Sequence, residues 1–427
     1  MATTYTVQPN QSMCDSIVQA TGSLDAGIQF CKDNNVSITA IPAVGTVFNV
    51  SDSSLALGDH GILRKFSQNG IVVGTLDAMA SPPLPSGIYH RSLTIDYTLC
   101  GGSDCHDFPV LVSITHATLR TVANGGHVCR NDGYDILFFK DPGEIYELNW
   151  EIESYDGFSG VLVAWLKLST ISSSSDTIFY MRYGETSITT FHGGASGSVW
   201  NSYYRAVYHL GSSLTADATT NALTLTNHNH VNQADGKIGG GAMFSSGSFQ
   251  SMTRDSPTGL PVGTAERSMT CWFKMGANQA HEFLGYGNNV GIGTYTRFSF
   301  FYTGSDVLCL EVSGSSAGFA WIYDTNWHKI TAVLPAGANN LDQVLIYFDG
   351  VLQTVVSSSA VLVTTNTQLA LGQIPEYLLD SFYTGMLDEV RIMNTGITAD
   401  WEKTEYNNQN DPGNIGTGGF ITYGDEY

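Results

Sequence analysis

Residues 343–351, QVLIYFDGV, decide the fold of the C-terminal half of this 427-residue chain. A run of apolar residues, 344–348, is followed directly by the dipeptide Asp349-Gly350. Asp-Gly accepts the positive φ angles of a type I′ turn, whose twist matches that of two antiparallel strands. The stretch therefore predicts a β-hairpin. Similar apolar runs, separated by clusters of Gly, Asn, Asp and Ser, recur along the chain and are typical of an all-β protein.

Several other segments accompany this hairpin in a fixed order, at residues 236–244, 268–274, 326–330, 368–372 and 385–392. Together with the hairpin they resemble the laminin-G type of concanavalin-like jelly roll, and the resemblance extends over residues 203–397. It implies a sandwich of two β-sheets that faces outward and binds a cell-surface glycan or protein.

Calcium is the one cofactor that this resemblance implies. Laminin-G-like jelly rolls often hold one Ca²⁺ near the edge of the sandwich, through carboxylates and backbone carbonyls, the oxygen ligands that hard cations prefer. Asp217 and Asp388 are the matching positions in this chain. The alternative is that Asp388 only accepts hydrogen bonds from backbone amides.

A carbohydrate site is expected among aromatic residues in or near polar, glycine-rich loops of the predicted jelly roll. Exposed rings in such loops can stack on sugars, although loop aromatics also cap the ends of β-sandwiches. The candidate residues are Tyr286, Tyr295, Tyr302, Trp321 and Tyr323.

The first fifty residues predict a separate unit with the order β-α-α-β. Ser12 and Ser23 are plausible N-caps of two short helices, and residues 46–50 read as the last strand. This unit resembles a LysM module, and the resemblance extends over the sequence YTVQPNQSMCDSIVQATGSLDAGIQFCKDNNVSITAIPAVGTVFNV. LysM modules typically bind N-acetylglucosamine-containing glycans, and in phage tails and injection particles they often clamp subunits together. Both roles stay open, since Asn10 and Met13-Cys14 depart from the usual LysM residues.

A Pro-rich stretch, SPPLPSG at residues 81–87, predicts a stiff linker after this module. The sequence that follows the linker, residues 89–202, resembles an uncharacterised β-domain found before laminin-G-like jelly rolls in microbial surface proteins. The fold class is therefore mainly β. The predicted parts are a LysM-like module with a short extension (1–79), the linker (80–88), a β-sandwich-type domain (89–202), the jelly roll (203–397) and a C-terminal extension with a short helix (398–427).

The charge balance excludes two classes of partner. The formal net charge is −21, and only 18 Lys and Arg residues are spread along the chain. Nothing in the sequence could replace the counterions of a nucleic acid, and an anionic membrane surface is disfavoured for the same reason. No apolar run approaches the roughly 18 residues of a membrane helix, so membrane insertion is not expected.

Catalysis has little support in the sequence. Glu151 and Glu153 share one face of a predicted strand, as do the acids of retaining glycosidases on jelly-roll folds, but the third acidic place holds Tyr155. Asp388 and Glu389 are adjacent and should point to opposite faces of a strand. We expect a binding protein rather than an enzyme.

The polar N-terminus shows no secretion signal, although the predicted domains are of an extracellular type. The leading hypothesis is therefore a structural and adhesive component of a phage-like virion or contractile injection particle, located on its surface. The LysM-like module would join other subunits, and the jelly roll would bind a cell-surface glycan or protein. The alternative is a cell-wall-anchored carbohydrate-binding protein at the cell surface, and a polysaccharide-degrading enzyme is the third hypothesis.

Overall fold

The computed structural model describes residues 3–7, 12–21, 23–36, 42, 46–51, 87–288, 293–376 and 381–427. The fold is mainly β, as the sequence predicts. The chain divides into two compact units, residues 1–86 and residues 87–427. The predicted extension of the first module and nearly all of the Pro-rich linker lie outside the described residues. No helix in the described ranges combines the length and the apolar character needed to cross a membrane.

The N-terminal unit has the predicted order β-α-α-β. Its elements are β1 (Thr3–Thr6), α1 (Met13–Thr21), α2 (Gly27–Asp33) and β2 (Val47–Val50).

Side-chain hydrogen bonds fix the ends of these elements. The Ser12 hydroxyl accepts from the backbone amide of Asp15, and the Asp15 carboxylate accepts from the amide of Ser12, which is a capping box. Asn34, directly after α2, bonds both the amide and the carbonyl of Asn49 in β2. The two strands pair antiparallel. These contacts close the unit around a small core of Val7, Met13, Ile17, Phe30, Phe48 and Val50.

The first half of the second unit forms two small antiparallel sheets. One has the order β25-β3-β8-β5 and the other the order β4-β7-β6. Because β25 pairs with β3, the C-terminal extension completes a sheet that begins near residue 89. The bounds are β3 (Tyr89–Ile95), β4 (Cys105–Thr115), β5 (Leu137–Phe139), β6 (Asn149–Asp156), β7 (Val161–Ile171), β8 (Thr177–Tyr183) and β25 (Ile421–Tyr423).

The jelly roll consists of two antiparallel sheets packed around an apolar core. Sheet I has the order β10-β13-β23-β15-β16-β17-β18-β22, and sheet II has the order β11-β12-β24-β14-β19-β20-β21, with β9 also paired to β24. The bounds are β9 (Tyr204–Tyr208), β10 (Thr226–His228), β11 (Asn232–Asp235), β12 (Gly240–Phe244), β13 (Ser251–Asp255), β14 (Arg267–Met275), β15 (His281–Gly287), β16 (Arg297–Tyr302), β17 (Val307–Glu311), β18 (Ser316–Ala320), β19 (His328–Leu334), β20 (Leu345–Phe348), β21 (Val351–Leu352), β22 (Val356–Ser357), β23 (Gln368–Leu371) and β24 (Gly385–Met393).

The hairpin predicted from the opening stretch is confirmed. Phe348 in β20 pairs with Val351 in β21. Between them φ is 48° at Asp349 and 75° at Gly350. Two successive positive φ angles are what a type I′ turn requires, and Asp-Gly supplies them at little steric cost.

One helix, α3 (Ala399–Asn410), lies between the β4-β7-β6 sheet and sheet II. Its Asn408 side chain bonds both backbone groups of Leu111 in β4. On the other side, the Trp272 indole of β14 donates to Gln409 at 2.6 Å. Buried polar residues of the helix thus satisfy polar groups on two sheets at once.

Candidate functional site

The aromatic residues predicted to bind carbohydrate do not form one exposed group. Tyr286, Tyr302 and Trp321 are buried in the core of the jelly roll, so the expectation of exposed rings is wrong for these three. The Tyr286 hydroxyl donates to a backbone carbonyl 3.1 Å away, which satisfies its polar end inside the fold. Tyr295 and Tyr323 are half-buried and pack against the same core. Sugar binding by these two residues stays a prediction.

The carboxylates of the predicted calcium pair face hydrogen-bond donors. Asp217 accepts from three backbone amides and one hydroxyl, which occupies both of its oxygens. Asp388 accepts from the amides of Ile238 and Glu389, each at 2.8 Å. These bonds favour the alternative that the two carboxylates serve backbone amides, and calcium at these positions stays a prediction.

A pocket of about 390 Å³ opens on sheet I beside β10, β13 and β23. Because side chains alternate along a strand, β13 sends Met252 into the core and Thr253 and Asp255 to the opposite face. We call this cavity the sheet-I pocket. Its lining includes Phe249 and Phe382 together with the polar side chains of His228, Asn229, Ser251, Thr253, Asp255, Gln368 and Gln373.

The sheet-I pocket combines an exposed ring with fixed polar groups. Phe249 is 56% exposed and meets Phe382 edge to face, with 5.4 Å between ring centroids. Gln368 Nε2 donates to Asp255 Oδ1 at 2.8 Å, and His228 Nε2 lies 2.8 Å from the Thr253 hydroxyl. Sugars present hydroxyl groups beside apolar C–H faces, and this lining offers partners for both.

Inside the second unit lies a group of buried or partly buried ionisable side chains, which we call the charged cluster. It consists of Glu151, Glu153, His209, Lys329, Asp388, Glu389, Arg391, Glu402 and Glu405.

His209, just after β9, is the centre of one end of the charged cluster. Its Nε2 lies 2.9 Å from Glu151 Oε1, and its Nδ1 lies 2.7 Å from Glu389 Oε1 and 3.8 Å from Glu153 Oε2. The imidazole also stacks on the indole of Trp165, with 5.6 Å between centroids. Carboxylates therefore face both ring nitrogens.

Arg391 and Lys329 form the other end of the charged cluster. The Arg391 guanidinium donates to Glu389 at 2.7 Å and to Glu405 at 2.6 Å. Lys329 Nζ lies 2.7 Å from Glu402 and 2.9 Å from Glu405. Since these residues belong to β19, β24 and α3, their ion pairs connect sheet II to α3.

Two β-bulges shape the charged cluster. The predicted common face of Glu151 and Glu153 is confirmed, since both carboxylates reach His209, and the register of β6 shifts next to Glu153. The predicted opposite faces of Asp388 and Glu389 are wrong. Glu389 has a φ of 47° at a bulge in β24, where Leu387 and Val390 enter the core and the two carboxyl groups between them do not.

Burial and neighbouring charges shift the pKa values in opposite directions. Burial lowers the pKa of His209, but Glu389 and Glu151 outweigh it and raise the pKa well above the usual value. Burial would raise the pKa of Glu389, which His209 and Arg391 hold below its ordinary value. Burial raises the pKa of Glu153 to about 8 and that of Asp388 well above normal. Within one cluster, burial and neighbouring charges thus move the pKa values of different carboxyl groups in opposite directions.

A cavity of about 260 Å³ has Glu151 of the charged cluster in its lining. Tyr134, Trp150 and Phe191 also line it. Among the ionisable groups of the described chain, Glu153, His209 and Glu389 have ligand atoms within 4.8 Å of one another, close enough to share a metal ion.

Sequence reasoning identified the strand acids but missed His209, Arg391 and Lys329. These three residues lie at least 62 positions apart in sequence, so no spacing signal reveals them, and only the tertiary fold brings them together. The sheet-I pocket was missed for a related reason: Phe249 and Phe382 are 133 positions apart in sequence.

Together, the two packed sheets define a β-sandwich of the jelly-roll type. The C-terminal region is a concanavalin-like jelly roll. Residues 246–401 match a laminin-G-type family model described as the Concanavalin A-like lectin/glucanases superfamily. This match confirms the resemblance drawn from the sequence, and it covers less than half of the chain.

Three solved structures are similar to part of this chain. Domain 4 of a GH43 extracellular arabinanase from Geobacillus stearothermophilus, in complex with arabinotriose, is 20% identical with a TM-score of 0.37, over 47% of this chain and 96% of that one. The binding domain of botulinum neurotoxin DC, in complex with rat synaptotagmin II, is 9% identical with a TM-score of 0.38, over 48% and 52%. The botulinum neurotoxin serotype G binding domain is 13% identical with a TM-score of 0.37, over 48% and 50%.

The chain thus spans about half the length of those neurotoxin domains. A search of curated protein sequences finds no match.

Proposed function

We propose that this chain is a non-enzymatic adhesion protein whose jelly roll binds an uncharged cell-surface glycan in the sheet-I pocket. One observation carries this proposal: the exposed ring of Phe249 stands beside the hydrogen-bonded pair Gln368 and Asp255. An apolar ring beside a few fixed polar groups is the usual composition of a small-ligand site. The match to a lectin-containing superfamily supports the same conclusion.

The charge of the chain favours a neutral sugar over an acidic one. The net charge is −21. The described residues that line the sheet-I pocket include a carboxylate, Asp255, and no Lys or Arg. A sialylated or uronic-acid glycan would meet repulsion there without a compensating cation.

Binding without cleavage is proposed because the described lining of the sheet-I pocket offers one carboxylate. Most glycoside hydrolases flank the scissile bond with two Asp or Glu residues. Asp255 stands alone, and the amide of Gln368 donates a hydrogen bond to it at 2.8 Å. The release of reducing ends from any bound glycan would contradict this part of the proposal.

Binding is tested with an array of neutral and sialylated glycans, followed by calorimetry with the best neutral hit. The Phe249→Ala variant should bind about tenfold more weakly, or about 1.4 kcal/mol, because the stacking surface is lost. Tyr323→Ala is the matched control, since its ring lies outside the pocket. Equal affinity of wild type and Phe249→Ala, with a loss in Tyr323→Ala, would place the site on the loop instead.

The N-terminal unit is proposed as the anchor of the chain in a phage-like virion or contractile injection particle. Its support is a separate compact unit with the β-α-α-β order and the LysM resemblance of its sequence. The alternative is attachment to a cell wall through the same unit. Mass spectrometry of purified particles tests this point: fixed stoichiometry with tail or capsid proteins supports the particle, and recovery only in the cell envelope supports the wall.

A further inference from the structure

We propose that Glu153, His209 and Glu389 form a binding site for one divalent transition-metal ion, with Zn²⁺ as the best fit. The ligand atoms of these three residues lie within 4.8 Å of one another. Imidazole nitrogen and carboxylate oxygen are both common zinc ligands, and three protein ligands leave a fourth position for water. This inference does not depend on the proposed glycan binding.

Glu153 supplies the observation that points to a missing ligand. Its side chain is 1% exposed, yet its Oε1 atom has no hydrogen-bond partner. Its other oxygen accepts from the Trp165 indole at 3.0 Å and faces His209 Nδ1 at 3.8 Å. An unpaired oxygen on a buried carboxyl group costs free energy, which coordination of a cation by this carboxylate would offset.

Glycines keep space open around that carboxylate. A Cβ atom at Gly211 would lie 2.8 Å from Glu153 Oε1, and one at Gly239 would lie 2.5 Å from it. Any residue with a side chain at these positions would therefore clash with the unpaired oxygen. Gly211 follows His209 by two positions, so this requirement for glycine borders the proposed site.

The second nitrogen of His209 is already held as in metal-binding histidines. Its Nε2 lies 2.9 Å from Glu151 Oε1, which also accepts from the Trp200 indole at 2.8 Å. In protein metal sites the nitrogen that does not bind the metal commonly donates to a carboxylate, which fixes the ring orientation. Nδ1 faces Glu389 at 2.7 Å and Glu153 at 3.8 Å, and it would bind the ion once the proton shared with Glu389 is displaced.

Formal charge favours a cation at this position. With every group ionised, the six carboxylates and three cations of the charged cluster give a formal charge of −3, and −1 when Glu153 and Asp388, whose pKa values burial raises, are protonated. Arg391 does not block the ion, since Glu405 and the second oxygen of Glu389 already neutralise it. Glu151 lies at the exposed edge of the cluster, with 24% of its side chain exposed, and it lines a cavity of about 260 Å³.

The test is calorimetry of the chelator-treated full chain with ZnCl₂, and with CaCl₂ and MgCl₂ for comparison. We expect one Zn²⁺ per chain, with affinity reduced at least about tenfold in Glu153→Gln and His209→Gln, and about 10- to 100-fold in Glu151→Gln. His328→Gln is the matched control. Its two carboxylate neighbours, Asp349 and Asp324, lie on opposite ring nitrogens and cannot share an ion with it.

Zinc K-edge X-ray absorption of the loaded wild-type protein keeps the test decisive even if a variant fails to fold. Nitrogen and oxygen ligands at about 2.0–2.2 Å, with no sulfur at about 2.3 Å, would support the site. Sulfur ligands would assign the ion to the free cysteines and overturn the proposal. The absence of stoichiometric Zn²⁺ binding, or unchanged binding in His209→Gln, would also overturn it.

Discussion

The jelly roll has two interiors, one on each face of sheet II, and only one of them contains a cluster of buried charges. Between the two sheets lies an apolar core that includes Phe300, Leu310 and Ile346. On the other face, toward β6, β7 and α3, the charged cluster lies beside a smaller apolar cluster that includes Trp165 and Val333. The apolar core is stabilised by the removal of apolar surface from water, which does not depend on the direction of particular contacts. Charged groups instead require particular partners, so we infer that the cluster fixes how the helix and the first sheets dock on the jelly roll.

The largest expected effect comes from removing a buried lysine of the charged cluster. The Lys329→Met variant leaves Glu402 and Glu405 buried with one cation fewer, and it should lower the free energy of unfolding by about 3–5 kcal/mol. Chemical denaturation monitored by near-ultraviolet circular dichroism measures the loss. The double variant Lys329→Met/Glu402→Leu removes the charge and its partner together and should recover most of the stability. A single variant within about 1 kcal/mol of wild type would show that these ion pairs do not hold the docking.

The apolar side is tested by Leu310→Ala, which leaves a cavity in the core. Leu310 is fully buried in β17, and such truncations cost about 2–5 kcal/mol, depending on how well the site collapses. The volume-conserving Leu310→Met is the control and should cost less than about 1.5 kcal/mol. If both variants cost the same, the core is less tightly packed than its burial indicates.

These two interiors also differ in how well the sequence predicts them. The apolar core follows from strand alternation and from local turn chemistry, as at Asp349-Gly350, so the jelly roll was recognisable. The charged cluster depends on two bulges and on pairings such as Lys329 with Glu402, 73 positions apart. The alternation of side chains along a strand predicted that Asp388 and Glu389 point to opposite faces. The positive φ of Glu389, at the bulge, interrupts this alternation.

Exposure was harder to predict than strand position. Tyr286 and Tyr302 lie next to glycine-rich segments of the sequence, yet both rings are buried in the core. The hydroxyl of each ring has a hydrogen-bond partner within the fold. Phe249 carries no sequence signal of exposure. Its left-handed φ of 53° at the turn before β13 accompanies the exposure of its ring beside the sheet-I pocket.

The third prediction concerns a buried carboxyl group outside the charged cluster. Burial raises the pKa of Glu282, in β15, to about 8, although Arg297 lies 3.1 Å away and lowers it. The ordinary value is 4.5, so between these two values the folded chain binds more protons than the unfolded chain. Stability from this group is therefore present at low pH and lost as the pH rises, at up to about 1.4 kcal/mol per unit.

Glu282→Gln removes this proton and should gain stability relative to wild type as the pH rises from about 5 to 8. Denaturation of both proteins across that range measures the difference, and Leu310→Met, which changes no ionisable group, should run parallel to wild type. Parallel curves for Glu282→Gln would mean that Arg297 keeps the carboxylate charged. In that case the Glu282–Arg297 ion pair would stay charged like the ion pairs of the charged cluster.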